Sequence, residues 1–239
     1  MVTRVSSGAV RVHVAFTPAE AAAAPVGLVV DVLRATSTIA QALAAGYRRV
    51  LCCANVEEAE ALRARDGGFV LAGERRCVRI PGFDLGNSPS EFLQPRGETL
   101  VLTTTNGTRA ILAAAARCDL VLAAALVNLE AVVTKARGGG GDVVVLCAGV
   151  KGEFALDDAY CAGRLVELLD GEPTDAAVAA VRLAHTYENA VAGLRRSQSA
   201  RNLVAAGLEG DIAWCARESV LDVVPRFAGM DGPAAAVTR

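Results

Sequence analysis

Apolar, β-branched runs alternate with alanine-rich stretches of helical period along almost the whole chain. Runs too short for helices, bounded by glycine or polar residues, predict strands at 10–16, 28–33, 49–53, 69–72, 99–104, 120–124 and 142–148. Between them the 3.6-residue period predicts helices at 37–45, 56–65, 108–116 and 129–136. From 154 to 206 the pattern is nearly all helical, with helices expected at 158–169, 175–187, 188–196 and 200–206. Strands that are apolar on both faces must be covered on both faces. The pattern therefore implies an α/β fold of three layers, α/β/α, with a mostly parallel or mixed sheet and a helical C-terminal part.

A segment at 211–215 returns as a last strand or the start of a helix, and after Val224-Pro225 the small-residue tail is expected to fray. The glycines at 138–141 read as a turn before a strand, since no helix follows them directly. Residues 73–97 break the alternation, being rich in proline, glycine and charge. Loops of that length inside a compact domain usually serve function or stay disordered. The 239 residues fit one large α/β domain or two smaller ones. We read 1–239 as a single domain, with a two-lobed division near 140–155 as the alternative.

Composition narrows the class. The formal net charge of −2 gives no bulk attraction toward nucleic acid. No apolar run is long enough to span a bilayer, and Met1 is not followed by a basic and then apolar leader, so a cytoplasmic protein with no membrane partner is expected. The seven cysteines are odd in number and scattered, without Cys-x-x-Cys, and the only histidines are His13 and His185, which argues for reduced thiols and against structural zinc. Adjacent Cys52 and Cys53 should point to opposite faces of a strand.

Chemistry concentrates where strands end. The run 28–33 carries Asp31, followed by Arg34 and then Thr36, Ser37 and Thr38 at a helix start. Similar polar clusters follow other strands: Glu74-Arg75, then Asn106-Gly107-Thr108 with Arg109, and Cys147-Ala148-Gly149. In a parallel sheet these ends share one edge, where ligands bind. Asp157 and Asp158 open a later helix and suit either a helix dipole or Mg²⁺. Each cluster alone also reads as ordinary capping by hydroxyl or carboxylate groups. Their recurrence favours a site for a phosphate ester with a divalent cation. No Gly-x-x-x-x-Gly-Lys-Ser/Thr and no Gly-x-Gly-x-x-Gly after a strand is present, and position 153, six after Cys147, is glutamate rather than the arginine of a phosphocysteine loop.

Taken together, the segments Val30-Asp31-Val32-Leu33-Arg34-Ala35-Thr36-Ser37-Thr38, Gly73-Glu74-Arg75, Ile80-Pro81-Gly82-Phe83-Asp84-Leu85-Gly86-Asn87-Ser88-Pro89, Thr104-Thr105-Asn106-Gly107-Thr108, Leu156-Asp157-Asp158 and Gly210-Asp211-Ile212 resemble the 2-phosphosulfolactate phosphatase family. The resemblance runs in order over most of the chain. It implies a Mg²⁺-dependent hydrolase that converts 2-phospho-3-sulfolactate to 3-sulfolactate and phosphate, on a route to coenzyme M. Two departures stand out: Arg76-Cys77-Val78 where small residues are expected, and Ser199-Ala200 where many relatives have His-Gly.

On this reading Asp31, Arg34 and Glu74 are the catalytic candidates. Mg²⁺ would rest on Asp31, Glu74 and one of Asp84, Asp157 or Asp158, with Asp31 a ligand or a nucleophile, and Asp84 equally suited to fixing its own Pro-Gly loop. Arg34 and Arg75 would clamp oxyanions, and Thr36, Ser37, Thr38, Asn106, Gly107 and Thr108 would complete a cradle for a small anionic phosphoester. The rivals are a phosphatase of another phosphorylated hydroxy acid and a non-catalytic anion-binding protein, the latter disfavoured by so many carboxylates. The alanine-rich face at 175–184 suits a homo-oligomer, such as a dimer, as well as internal packing, which leaves the oligomeric state open.

Overall fold

The computed structural model describes residues 10–239. The reading of the stretch after Met1 lies outside them. In chain order the elements begin with β1 (Arg11–Ala15), β2 (Ala24–Val30), α1 (Ala35–Ala45), β3 (Arg49–Cys53) and α2 (Val56–Arg65). There follow β4 (Val70–Arg75), β5 (Val78–Arg79), β6 (Thr99–Thr103), α3 (Gly107–Ala115), β7 (Cys118–Ala124), α4 (Leu129–Gly138) and β8 (Val143–Cys147). The C-terminal part holds α5 (Leu156–Leu169), β9 (Glu172–Pro173), α6 (Asp175–His185), α7 (Ala190–Arg195), α8 (Gln198–Ala205) and α9 (Glu209–Cys215), then β10 (Arg226–Asp231) and β11 (Ala234–Thr238).

All the strands join one mixed sheet in the order β5-β4-β6-β3-β11-β10-β7-β2-β8-β1-β9. Two parallel blocks make it up: β4, β6 and β3 on one side, and β7, β2, β8 and β1 on the other. The β10–β11 hairpin stitches them together, pairing antiparallel with β3 through β11 and with β7 through β10.

This corrects the expectation of a fraying tail. The segment lies at the centre of the sheet, with Ala234, Ala235 and Val237 buried. Small side chains suit a strand flanked on both sides and covered on both faces. The turn is legible in hindsight: Asp231 pairs with Ala234, and Gly232 takes the positive φ of 60° that the first position of a two-residue hairpin loop requires. The segment at 211–215 belongs to a helix, α9.

Alternating residues of the central strands enter different layers of the core. In β3, Val50 and Cys52 pack in the larger cluster, while Leu51 and Cys53 join Ala59 and Leu62 of α2 in a smaller one. The same alternation recurs at Leu100, Val101 and Leu102 of β6, and it explains why these strands read as unbroken apolar runs. Among the described residues all seven cysteines are free thiols, and no helix is long and apolar enough to cross a membrane.

Candidate active site

Strand ends from both blocks open onto one cleft of about 740 Å³. Asp31 comes from the end of β2, Gly149 to Lys151 from the end of β8, and Asp157 and Asp158 from the start of α5. From the other block come Glu74 to Val78 of the β4–β5 hairpin and Thr104 to Asn106 after β6. The common parallel edge expected from sequence is not how they meet, because the hairpin makes the two blocks antiparallel across the sheet centre. They meet where α1 and α3 begin side by side. Gly107 makes that approach feasible: a Cβ there would stand 2.7 Å from the Ala35 Cβ and 3.0 Å from Asp31 Oδ2.

Three carboxylates share the floor. Asp31 is open to the cleft yet closely surrounded by protein; burial first, then the charges of Asp157 and Glu74, push its carboxyl up to about 7 against the opposing Ala35 N–H. Asp157, buried, is raised to about 6, chiefly by burial, and its Oδ1 accepts the Ser199 hydroxyl at 3.3 Å. Asp158 lies well above the ordinary range, because of burial and then the Asp157 and Asp31 charges. It accepts the Val32 N–H at 2.9 Å and the Gly149 N–H at 3.0 Å, tying the ends of β2 and β8 together. Among the described residues none of the three forms an ion pair. Glu74 stands nearby, its carboxylate accepting the Cys77 N–H at 2.6 Å.

Cations line the walls. Arg34 Nη1 donates to Asp211 Oδ2 at 2.7 Å and to Ser88 Oγ at 3.2 Å, and the Ser88 hydroxyl donates to the same Asp211 oxygen at 2.7 Å. Its Nε and Nη2 make no hydrogen bond among the described residues, so the guanidinium is fixed at one end and unspent at the other. Arg75, Arg76 and Lys151 also line the cleft, with Arg75 Nη1 bonded to the Glu74 carbonyl.

Several expected site residues are placed elsewhere. The Thr36 hydroxyl accepts the Asp31 N–H, Ser37 donates to the Val32 carbonyl, Thr38 to the Asn87 carbonyl and Thr108 to the Cys53 carbonyl. These hydroxyls, all buried, hold the turns around the cleft and do not line it. Asp84 also stays outside: it accepts the Leu71 N–H and pairs with Arg63, fixing the Pro-Gly loop against β4 and α2. Gly107 acts through the space it leaves, while Asn106 lines the cleft and its Oδ1 accepts the Lys151 N–H at 3.4 Å.

Sequence reading passed over Lys151, Asn87 and Asn202 as site candidates, and it named Ser199 only as a departure. Lys151 follows β8 as Arg34 follows β2, so the strand-end rule reaches it. Asn202 lies on α8, whose place over the cleft no local pattern reveals.

No three carboxylate, imidazole or thiol groups among the described residues form a ready-made cage for an ion. The donor set instead suits Mg²⁺, which needs only one or two protein carboxylates and takes its remaining ligands from water and phosphate. Buried carboxylates that repel one another, with no cationic partner, are the chemistry such an ion relieves.

A family profile described as 2-phosphosulpholactate phosphatase matches residues 13–229. A "Probable 2-phosphosulfolactate phosphatase" of Symbiobacterium thermophilum is 41% identical over 221 residues, 88% of this chain and 94% of that protein. Another of the same name, from Thermus thermophilus, is 41% identical over 232 residues, 94% of this chain and 97% of its own length. A third, from Thermotoga maritima, is 38% identical over 218 residues, 90% of this chain and 94% of its own.

Proposed function

Since the chain belongs to the 2-phosphosulfolactate phosphatase family, we propose that it hydrolyses 2-phospho-3-sulfolactate to 3-sulfolactate and phosphate with the help of Mg²⁺. The observation that carries this reading is the single cleft in which Asp31 and Asp157 face Arg34, Arg75 and Lys151. A triply anionic ester needs cations for its oxyanions, whereas a pure anion binder gains nothing from a floor of carboxylates.

Phosphate-monoester hydrolysis depends on charge neutralisation and alignment more than on covalent chemistry by the protein. Asp31 and Asp157, with Glu74 beside them, are the residues that would hold Mg²⁺. When bound, the ion supplies Lewis-acid polarisation of a phosphoryl oxygen. Asp158 is committed to the Val32 and Gly149 amides and acts by holding the carboxylate floor in shape. Arg34, braced by Asp211, offers Nε and Nη2 to an oxyanion without having to reorganise. Lys151, after β8, and Arg75, at the end of β4, add positive charge to the cleft.

A second reading, a different phosphorylated hydroxy acid as substrate, is favoured by one observation. Helix α8 presents the neutral Ser199 and Asn202 to the cleft, and Ser199 spends its hydroxyl on Asp157. Phosphate release from 2-phosphosulfolactate, phospholactate and an aryl phosphate separates the two. Preference for the sulfonated ester supports the first reading, and equal or better turnover of phospholactate supports the second.

A further inference from the structure

We propose that Asn87 and Arg34 together form the subsite for the oxyanion of the substrate that is not hydrolysed, a sulfonate or carboxylate, with Ser88 and Asp211 as positioning residues. The inference rests on the phosphatase reading and deepens it.

Asn87 lines the cleft, yet only 5% of it is exposed. Its Oδ1 is buried without any hydrogen-bond partner, and its Nδ2 donates to nothing among the described residues. The unpaired Oδ1 carries a desolvation cost, and the Nδ2 amino group keeps both its N–H donors for a ligand. An apolar side chain of similar size would avoid that cost, so the amide points to a ligand that engages it.

The backbone around Asn87 is held unusually firmly. Its carbonyl accepts the Thr38 hydroxyl at 2.9 Å, from the first turn of α1. On either side, the Glu91 carboxylate accepts the N–H groups of Gly86 and Ser88 at 3.2 and 3.3 Å. Ser88 bridges Arg34 and Asp211, so the amide and the guanidinium hang from one hydrogen-bonded unit. A preorganised amide N–H₂ beside unspent guanidinium N–H groups is a donor set for an oxyanion.

The hydrogen bonds of this unit are distinct from those of the carboxylate floor. Arg34 pairs with Asp211 on α9, while Asp31, Asp157 and Asp158 make their hydrogen bonds to Ala35, Ser199, Val32 and Gly149. The phosphoryl group belongs over the floor, where a divalent ion would sit, which leaves the Asn87–Arg34 corner for the other end of the substrate.

The test uses the full chain with Asn87→Asp and Asn87→Ala, each checked for wild-type near-ultraviolet circular dichroism. Steady-state kinetics are run with Mg²⁺ on 2-phosphosulfolactate, phospholactate and an aryl phosphate, and calorimetry measures binding of 3-sulfolactate and of lactate. Loss of one charge-assisted hydrogen bond predicts that KM for 2-phosphosulfolactate, alone or together with phospholactate, rises by at least about tenfold more than KM for the aryl phosphate, with 3-sulfolactate binding weakened to match. A loss confined to 2-phosphosulfolactate identifies the sulfonate as the group held, and a loss shared with phospholactate identifies the carboxylate. Equal losses on all three esters, or none on any, overturn the inference. Should the wild type hydrolyse none of the esters, the phosphatase reading fails, and unchanged 3-sulfolactate binding by Asn87→Asp would separately overturn the subsite.

Discussion

Arg34 and Asp211, 177 residues apart in the chain, meet in a 2.7 Å ion pair whose side chains are only 3% and 6% exposed. The pair joins the β2–α1 turn to α9, and through Ser88 it joins both to the loop after β5. Removing one member of a buried pair strands the other charge, which costs about 3–5 kcal/mol. Asp211→Ala is therefore expected to lose stability on that scale in urea denaturation, and a loss below about 1 kcal/mol would show that water already screens Arg34.

The carboxylate floor predicts how stability without metal depends on pH. Folding raises Asp31 to about 7 and Asp157 to about 6, from an ordinary value of 3.8. A group raised by folding contributes stability in full below its unfolded pKa and loses that contribution as pH rises through the folded value. With chelator present, Tm is expected to fall between pH 5 and pH 8, by roughly 2–4 °C for each kcal/mol lost. Solvent access from the cleft makes the fall smaller than the full shift implies. Asp31→Asn should flatten the slope, and Mg²⁺ should restore Tm at pH 8. A Tm that rises steadily from pH 5 to pH 8 without metal contradicts the repulsion described.

Gly107 is expected to be intolerant of even one methyl group. Its Cβ would press on both Ala35 and Asp31, each on a turn held by several hydrogen bonds. Overpacking of that kind costs about 1–3 kcal/mol and moves backbone. Gly107→Ala should lower kcat as well as stability, because the shift falls on Asp31. Wild-type kinetics in this variant would mean that α1 and α3 can part without disturbing the cleft.

Deleting everything after Pro225 removes two central strands and leaves the edges of β3 and β7 unpaired. Such a chain is expected to be insoluble or to lack fixed tertiary structure, by solubility and near-ultraviolet circular dichroism. A soluble, cooperatively unfolding truncate would mean that the two parallel blocks fold without their link.

What could be read beforehand followed from local periodicity. Strand β3 and helix α2 fall where the pattern puts them, and Asp31, Glu74 and Asn106, named from strand ends, line one cleft with the Asp157-Asp158 pair named from a helix start. The β10–β11 hairpin escaped because Ala234 to Ala236 carry no alternation; the burial of Ala234 and Ala235 comes from neighbours distant in sequence. The hydroxyls of Thr36, Ser37 and Thr38 looked like ligand donors for the same reason. A free hydroxyl and one already bonded to the Asn87 or Val32 carbonyl are indistinguishable until the loop is placed. Asn87 itself stood in a motif, but only tertiary contact shows its Oδ1 unpaired.

The most direct test of the account is phosphate release from 2-phosphosulfolactate by wild type and Asp31→Asn, each with Mg²⁺ and with chelator. The account predicts rapid release by wild type with Mg²⁺, near-abolition by chelator, and a loss of about a hundredfold or more in Asp31→Asn that added Mg²⁺ does not recover. Release by the wild type that is unaffected by chelator, or retained by Asp31→Asn, would contradict it.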